Sequence, residues 1–151
     1  MKTVSITIEI KTAQYLEFID ITEKIQKIIK QSKIKEGLIN LFSLHTTAIV
    51  KIQEKEKGIF NDFQKIAEKI APKKGYWEHN DLKKRTENLV CQSGPSDCFN
   101  GHSHMLALLL GTSETLPINA GKILLGTWQR IFLIELDCGR ERQIVVKIIG
   151  E

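Results

Sequence analysis

Cysteine, proline and aromatic residues are all scarce in this chain of 151 residues, with three Cys, three Pro and an aromatic share of 7%. Cys91, Cys98 and Cys138 are too few, and odd in number, for the disulfide framework of a small secreted domain, so reduced thiols and a cytoplasmic setting are the expectation. The spacing of Cys91 and Cys98 is too wide for the usual zinc hook. No apolar run approaches the ~20 residues of a membrane span, and residues 1–10 alternate rather than forming the apolar block of a secretion signal. There is no run of four Lys or Arg. Lys24, Lys27, Lys30, Lys33 and Lys35 read as the solvated side of a helix rather than a nucleic-acid surface. A phosphate-binding P-loop, a dinucleotide glycine pattern and a His-Glu-x-x-His pair are missing too, so no nucleotide cofactor is expected.

What is present belongs to a folded domain. An apolar share of 42% and a charged share of 26%, with net charge +4, are ordinary for a globular chain. A chain of this length buries roughly 70% of its unfolded surface and needs no staple. No linker, repeat or low-complexity stretch divides it, so residues 1–151 form one domain.

Val4, Ile6, Ile8 and Ile10 alternate with polar residues, which predicts a half-buried strand. A second short strand is expected at 16–19. Asp20 and Glu23 are spaced as a capping box for a helix running to about Ser32. Residues 38–44 and 46–53 read as strands on either side of His45. Ile59, Phe60, Phe63, Ile66, Ala67 and Ile70 make the apolar face of a helix that Pro72 ends. The irregular stretch 72–100 is long enough to suggest a functional loop. A helix is expected over 101–110, with Gly111 at its C-cap. Strands follow near Ile118 and over 123–125, 128–136 and 143–149, with 137–140 as a hairpin-like turn between the last two. Strands at both ends and helices between them predict an α+β fold with a mixed, mainly antiparallel sheet or sandwich and three helices.

Four histidines carry the chemical interest: His45, His79, His102 and His104. Imidazole can bind a metal or move a proton near neutral pH. His45, with Thr46 and Thr47, forms a polar block between two apolar strands; it is either a strand-edge turn or a site to which Glu54 and Asp62 bring carboxylates. On a helix His102 and His104 point about 200° apart, so the pair is not a chelate. Asn100 and His104 share a face. His104 lies on a largely buried helix, whereas His102, nearer the helix start, can reach solvent. His79 sits among Tyr76, Trp77 and Glu78, either as a lid residue or as an exposed loop histidine. Gly111, Thr112 and Ser113 suit an anion, though a helix C-cap explains the glycine as well. Arg140 and Arg142 suit phosphate, though a solvated hairpin explains them too.

The blocks His45-Thr46-Thr47-Ala48, Tyr76 with His79, Asn100 with His104, Gly111-Thr112-Ser113 and Gly126-Thr127-Trp128-Gln129, together with Glu54, Asp62 and Arg140, resemble the YjbQ-like family over nearly the whole chain. Proteins of that family are often described as secondary thiamine-phosphate synthases. The resemblance implies a compact α+β fold assembled as a homotrimer. It implies a site of His45, His79 and His104 with acidic groups and an anion pocket nearby, for which Trp128 and Gln129 also qualify. It further implies weak joining of a thiazole phosphate to a pyrimidine diphosphate with release of pyrophosphate. His102 and the stretch 85–99 depart from the family's pattern.

Three functions compete. In a transferase, a divalent cation (Zn or Mg) or a cationic side chain such as Arg140 neutralises the leaving pyrophosphate, while Glu54 or Asp62 orients a histidine. In a metal-dependent hydrolase, His45, His79 and His104 hold Zn²⁺ and leave one position for water. In a binding protein for a small phosphorylated metabolite, the pocket needs no proton donor. Three ionisable imidazoles exceed what anion affinity requires, which favours an enzyme.

Overall fold

Alternating β-branched residues and two amphipathic helices build two stacked sheets in the computed structural model, which describes residues 1–90 and 98–151. In chain order the elements are β1 (Lys2–Lys11), β2 (Phe18–Asp20), α1 (Thr22–Ser32), β3 (Gly37–Ser43), β4 (Ala48–Glu54), α2 (Lys57–Ile70), a 3₁₀ turn (Glu78–Asn80), α3 (Gly101–Leu110), β5 (Ser113–Asn119), β6 (Lys122–Ile123), β7 (Gln129–Glu135) and β8 (Glu141–Gly150). The larger sheet has the order β1-β8-β3-β5-β6, and the smaller one β2-β7-β4. Among the described residues every ladder is antiparallel.

The register puts like with like. Ile8 lies opposite Ile144, Ile39 opposite both Ile148 and Leu116, and Leu41 opposite Val146, so one face of the larger sheet is continuously aliphatic. That face shares a core with Ala48, Val50, Ile131 and Leu133 of the smaller sheet and with Ile25, Ile28 and Ile29 of α1. The other face of the smaller sheet, with Ile49, Phe132 and Ile134, packs against Ala67 and Ala71 at the end of α2 and Leu106 and Ala107 of α3. Central strand β7 is therefore buried on both sides, which explains its unbroken apolar run.

Several expectations need correcting. The capping box does not form: Asp20 Oδ1 accepts from the Thr22 backbone N–H at 3.0 Å, but Glu23 pairs with Arg130 instead. The short strand is Phe18–Asp20, because Leu16 adopts a left-handed backbone with φ 53°. β5 extends far beyond Ile118, through Pro117, whose missing N–H is tolerated near the two-residue edge strand β6. Most consequential, 137–140 is not a hairpin turn. β7 pairs with β2 and β4, whereas β8 pairs with β1 and β3, so the chain crosses from one sheet to the other there. It also crosses directly between β3 and β4, at His45. Backbone bonds from Leu136 N–H to Thr47 O and from Leu44 N–H to Gln143 O hold the two crossings together at one end of the sandwich. Among the described residues no helix is long and apolar enough to cross a membrane.

Candidate functional site

Strands that change sheets leave backbone and polar side chains unpaired at the crossing, and these must find partners. At this end of the sandwich they converge on an open cleft of about 730 Å³ lined by His45, Thr46, Thr47, His79, Arg85, Asn100, His104, Arg140 and Arg142, among others.

The floor is a buried ion pair. Glu135 is fully buried and Arg142 is 3% exposed. Arg142 Nε donates to Glu135 Oε2 at 2.6 Å, and its Nη2 donates to Glu135 Oε1 and, at 3.1 Å, to Thr47 Oγ1. The Thr12 hydroxyl and the Asp137 backbone N–H complete the carboxylate's donors, at 2.7 and 2.9 Å. Asp137 Oδ2 then accepts from Asn100 Nδ2 at 2.9 Å and from Arg140 Nη2 at 2.8 Å. Asn100 Oδ1 lies 3.2 Å from His79 Nε2. The start of α3 is thereby tied to the end of β7, with a further bond from the Ser103 hydroxyl to Leu136 O.

His79 is carried by the 3₁₀ turn, which docks on α3 through Asn80 Oδ1, an acceptor for the Gly101 N–H at 2.9 Å. A glycine is required there: a Cβ on residue 101 would stand 2.6 Å from Trp77 Cβ. This close approach brings the His79 and His104 rings to 4.4 Å between centroids. Arg85 lies beside them. Its Nη1 donates to the His79 carbonyl at 3.3 Å, its Nε to Glu87 O and its Nη2 to Asn88 O.

The imidazoles are held neutral. Burial, then the neighbouring His79, brings His104 down to about 4. Burial, then Arg142, lowers His45, and burial, then Arg85, lowers His79. His45 Nε2 accepts the Gln143 backbone N–H at 2.7 Å, so its neutral ring carries the proton on Nδ1. The cleft thus offers neutral imidazoles for proton transfer and guanidinium groups for negative charge.

Of the residues singled out from the sequence, His45, His79, His104, Thr46, Thr47, Asn100 and Arg140 come together. Gly111 and Thr112 line an adjoining hollow with Thr46, His104, Met105 and Leu108. Within the 111–113 loop the Gly111 N–H is bonded to Ala107 O, and Ser113 begins β5 opposite Phe42. Glu54 and Asp62 do not reach the histidines. Glu54 ends β4 while His45 precedes it, and seven strand residues put them ~20 Å apart. Asp62 is an exposed residue of α2 paired with Lys65 at 2.9 Å. Gln129 lies opposite Glu54 at the far end of β7, and Trp128 beside it is 71% exposed.

His102 does not reach solvent. It is fully buried and edge-on to Tyr15, and among the described residues its Nδ1 has no hydrogen-bond partner. Cys98 is disulfide-bonded, against the expectation of reduced thiols. Cys91 lies outside the described residues. Sequence reasoning missed Arg85, Asp137 and Glu135. Only Glu135 left a signal, a carboxylate inside the apolar run Ile131 to Leu136, which demands a partner.

The three-histidine zinc centre does not fit. Among the described residues no group of three His, Cys, Asp or Glu side chains is arranged to hold a metal ion. The one lone pair of neutral His45 is already taken by a backbone N–H.

A two-sheet α+β domain with an imidazole- and guanidinium-lined cleft at its sheet crossings is the class that fold and site define. The chain belongs to the UPF0047 YjbQ-like family, whose profile matches residues 6–151. A UPF0047 protein of Methanocaldococcus jannaschii is 36% identical over 144 residues, covering 95% of this chain and 92% of its own. One from Methanothermobacter thermautotrophicus is 34% identical over 142 residues, covering 94% and 89%. The crystal structure of a protein of unknown function from Sulfolobus solfataricus superposes with a TM-score of 0.85 at 34% identity, covering 99% of both chains. A hypothetical protein from Aeropyrum pernix gives 0.81 at 30% identity, covering 100% of both.

Proposed function

We propose that the cleft binds a phosphorylated small molecule and acts as a pyrophosphate-releasing transferase of the secondary thiamine-phosphate synthase kind. One observation carries this reading: Arg85 stands in the cleft wall with carbonyls and an imidazole as its partners, and no carboxylate pairs with it among the described residues. The carbonyls take only some of its N–H groups, so the rest can meet phosphate oxygens, with the planar fork that suits them. The thiazole ring nitrogen bonds to the carbon that carries the diphosphate as that carbon's bond to the pyrophosphate oxygen breaks, and the electron pair of the broken bond leaves with the pyrophosphate. Positive charge already in place stabilises that developing charge. Of the neutral histidines, His79 and His104 serve as proton acceptors beside the reacting groups, since the lone pair of His45 is taken.

Titration calorimetry with pyrophosphate tests the reading. Arg85→Gln removes charge-assisted hydrogen bonds worth ~1.5–3 kcal/mol, so affinity should fall about tenfold or more. Unchanged affinity overturns it. So would stoichiometric zinc in protein purified without a tag, with an activity lost on chelation, which would favour the hydrolase.

We also propose a homotrimer. The outer face of the larger sheet supports an assembly: Leu38, Phe42 and Ile149 are exposed at 54, 42 and 43%, on neighbouring strands β3 and β8. Light scattering should return three times the mass of the chain; a stable monomer overturns the assembly.

A further inference from the structure

The chemistry of two acceptors decides which nitrogen of His79 carries its proton. Asp137 is 8% exposed, and its carboxylate, bonded to Arg140, can only accept. The atom of Asn100 that meets it at 2.9 Å must therefore be the amide nitrogen. Asn100, itself 9% exposed, is left with its carbonyl oxygen aimed at His79 Nε2, 3.2 Å away. An amide oxygen also only accepts, so Nε2 must be the nitrogen that donates. Arg85 Nη1 lies 3.1 Å from the same nitrogen and would need a lone pair there. Nε2 cannot satisfy both. The guanidinium has an alternative acceptor in the His79 carbonyl, at 3.3 Å, whereas the Asn100 oxygen is committed by Asp137.

We infer that Asp137 is a positioning residue: through Asn100 it holds His79 as the Nε2–H tautomer, leaving Nδ1 as the nitrogen that accepts a proton or hydrogen bond from a bound molecule. Its use in chemistry rests on reading the cleft as a phosphate-transfer site, but the tautomer does not. A carboxylate that orients a histidine through its second nitrogen is a common device at reactive sites. Here an amide stands between the two. One consequence is that Arg85 Nη1 finds its acceptor in the His79 carbonyl rather than in the ring.

Long-range ¹H–¹⁵N correlation spectra of the histidine-labelled full chain at pH 8, without phosphate, read the tautomer directly, with the His79 signals assigned by His79→Gln. The wild type should show the proton on Nε2. Asp137→Ala frees the Asn100 amide to turn over, so the Nδ1–H form should become substantially populated. Asp137→Asn, which keeps an acceptor oxygen, should restore the wild-type pattern. Arg85→Gln, a change that leaves Asp137 in place, should keep Nε2–H even if Asp137→Ala does not fold. An Nδ1–H wild type, an unaltered tautomer in folded Asp137→Ala, or a switch in Arg85→Gln overturns the inference. Failure of Arg85→Gln to weaken pyrophosphate binding would instead overturn only the function proposed for the cleft.

Discussion

Glu135→Ala should lower the unfolding free energy by about 3–5 kcal/mol, the usual cost of removing one partner of a buried ion pair. The carboxylate is fully buried and receives Arg142 Nε and Nη2, the Thr12 hydroxyl and the Asp137 N–H. Truncation leaves the Arg142 charge 3% exposed and facing a void. In a domain of this size the loss corresponds to a fall in Tm of about 10 °C. The apolar double replacement Glu135→Leu with Arg142→Met should recover most of it, because no buried charge then lacks a partner. Urea unfolding of the wild type and the two variants decides the matter; a loss below about 1 kcal/mol in Glu135→Ala would contradict the account. Because Asp137 hangs from Glu135 by its backbone N–H, the substitution should also disorder the Asp137–Asn100 link at the cleft.

Acidification should destabilise the protein between pH 6.5 and 4, by roughly 1–3 kcal/mol from His104 alone. The sign follows from the direction of the shift. His104 falls from 6.5 to about 4 on folding, because burial and then His79 disfavour its charged form. Above pH 6.5 the folded and unfolded states are both neutral at this residue, and folding carries no penalty. Between 6.5 and 4 the unfolded chain takes up a proton that the folded chain refuses, so stability falls with pH until the folded state is protonated too. His45, His79 and His102 are lowered as well, each first by burial, and act in the same direction. The cleft is open to water, which keeps the His104 contribution below the full value of its shift. Calorimetric melting from pH 7.5 to 4.5 should show the decline, and His104→Gln should shrink it. A wild-type curve flat over that interval would contradict the burial of these rings.

The regular elements were legible because their signals are local. Alternation in Val4 to Ile10 made β1 plain, and the apolar face of 59–70 marked α2. His45, His79 and His104 were legible as chemistry-bearing residues, although His79 needed the family resemblance. The polar network was not, because its members lie far apart in sequence: Asn100 and Asp137 are separated by 37 positions, and Thr12 and Glu135 by 123. Arg85 carried no periodic signal in an irregular segment. His102 was misplaced because its position at the helix start says nothing about Tyr15, which covers it.

By itself, then, the sequence determined the strands, the helices, the α+β class and the histidines at issue, since periodicity and side-chain chemistry reside in neighbouring residues. Only the tertiary structure decided that β7 and β8 belong to different sheets, and that the crossings at His45 and at 137–140 meet at one end. It also separated Glu54 and Gln129 from the histidines while joining Asp137 and Arg85 to them. The physical reason is that strand pairing and buried-polar satisfaction are long-range conditions: a strand's partner, like a carboxylate's donor, is chosen by the whole packed arrangement and leaves little trace in the residues beside it.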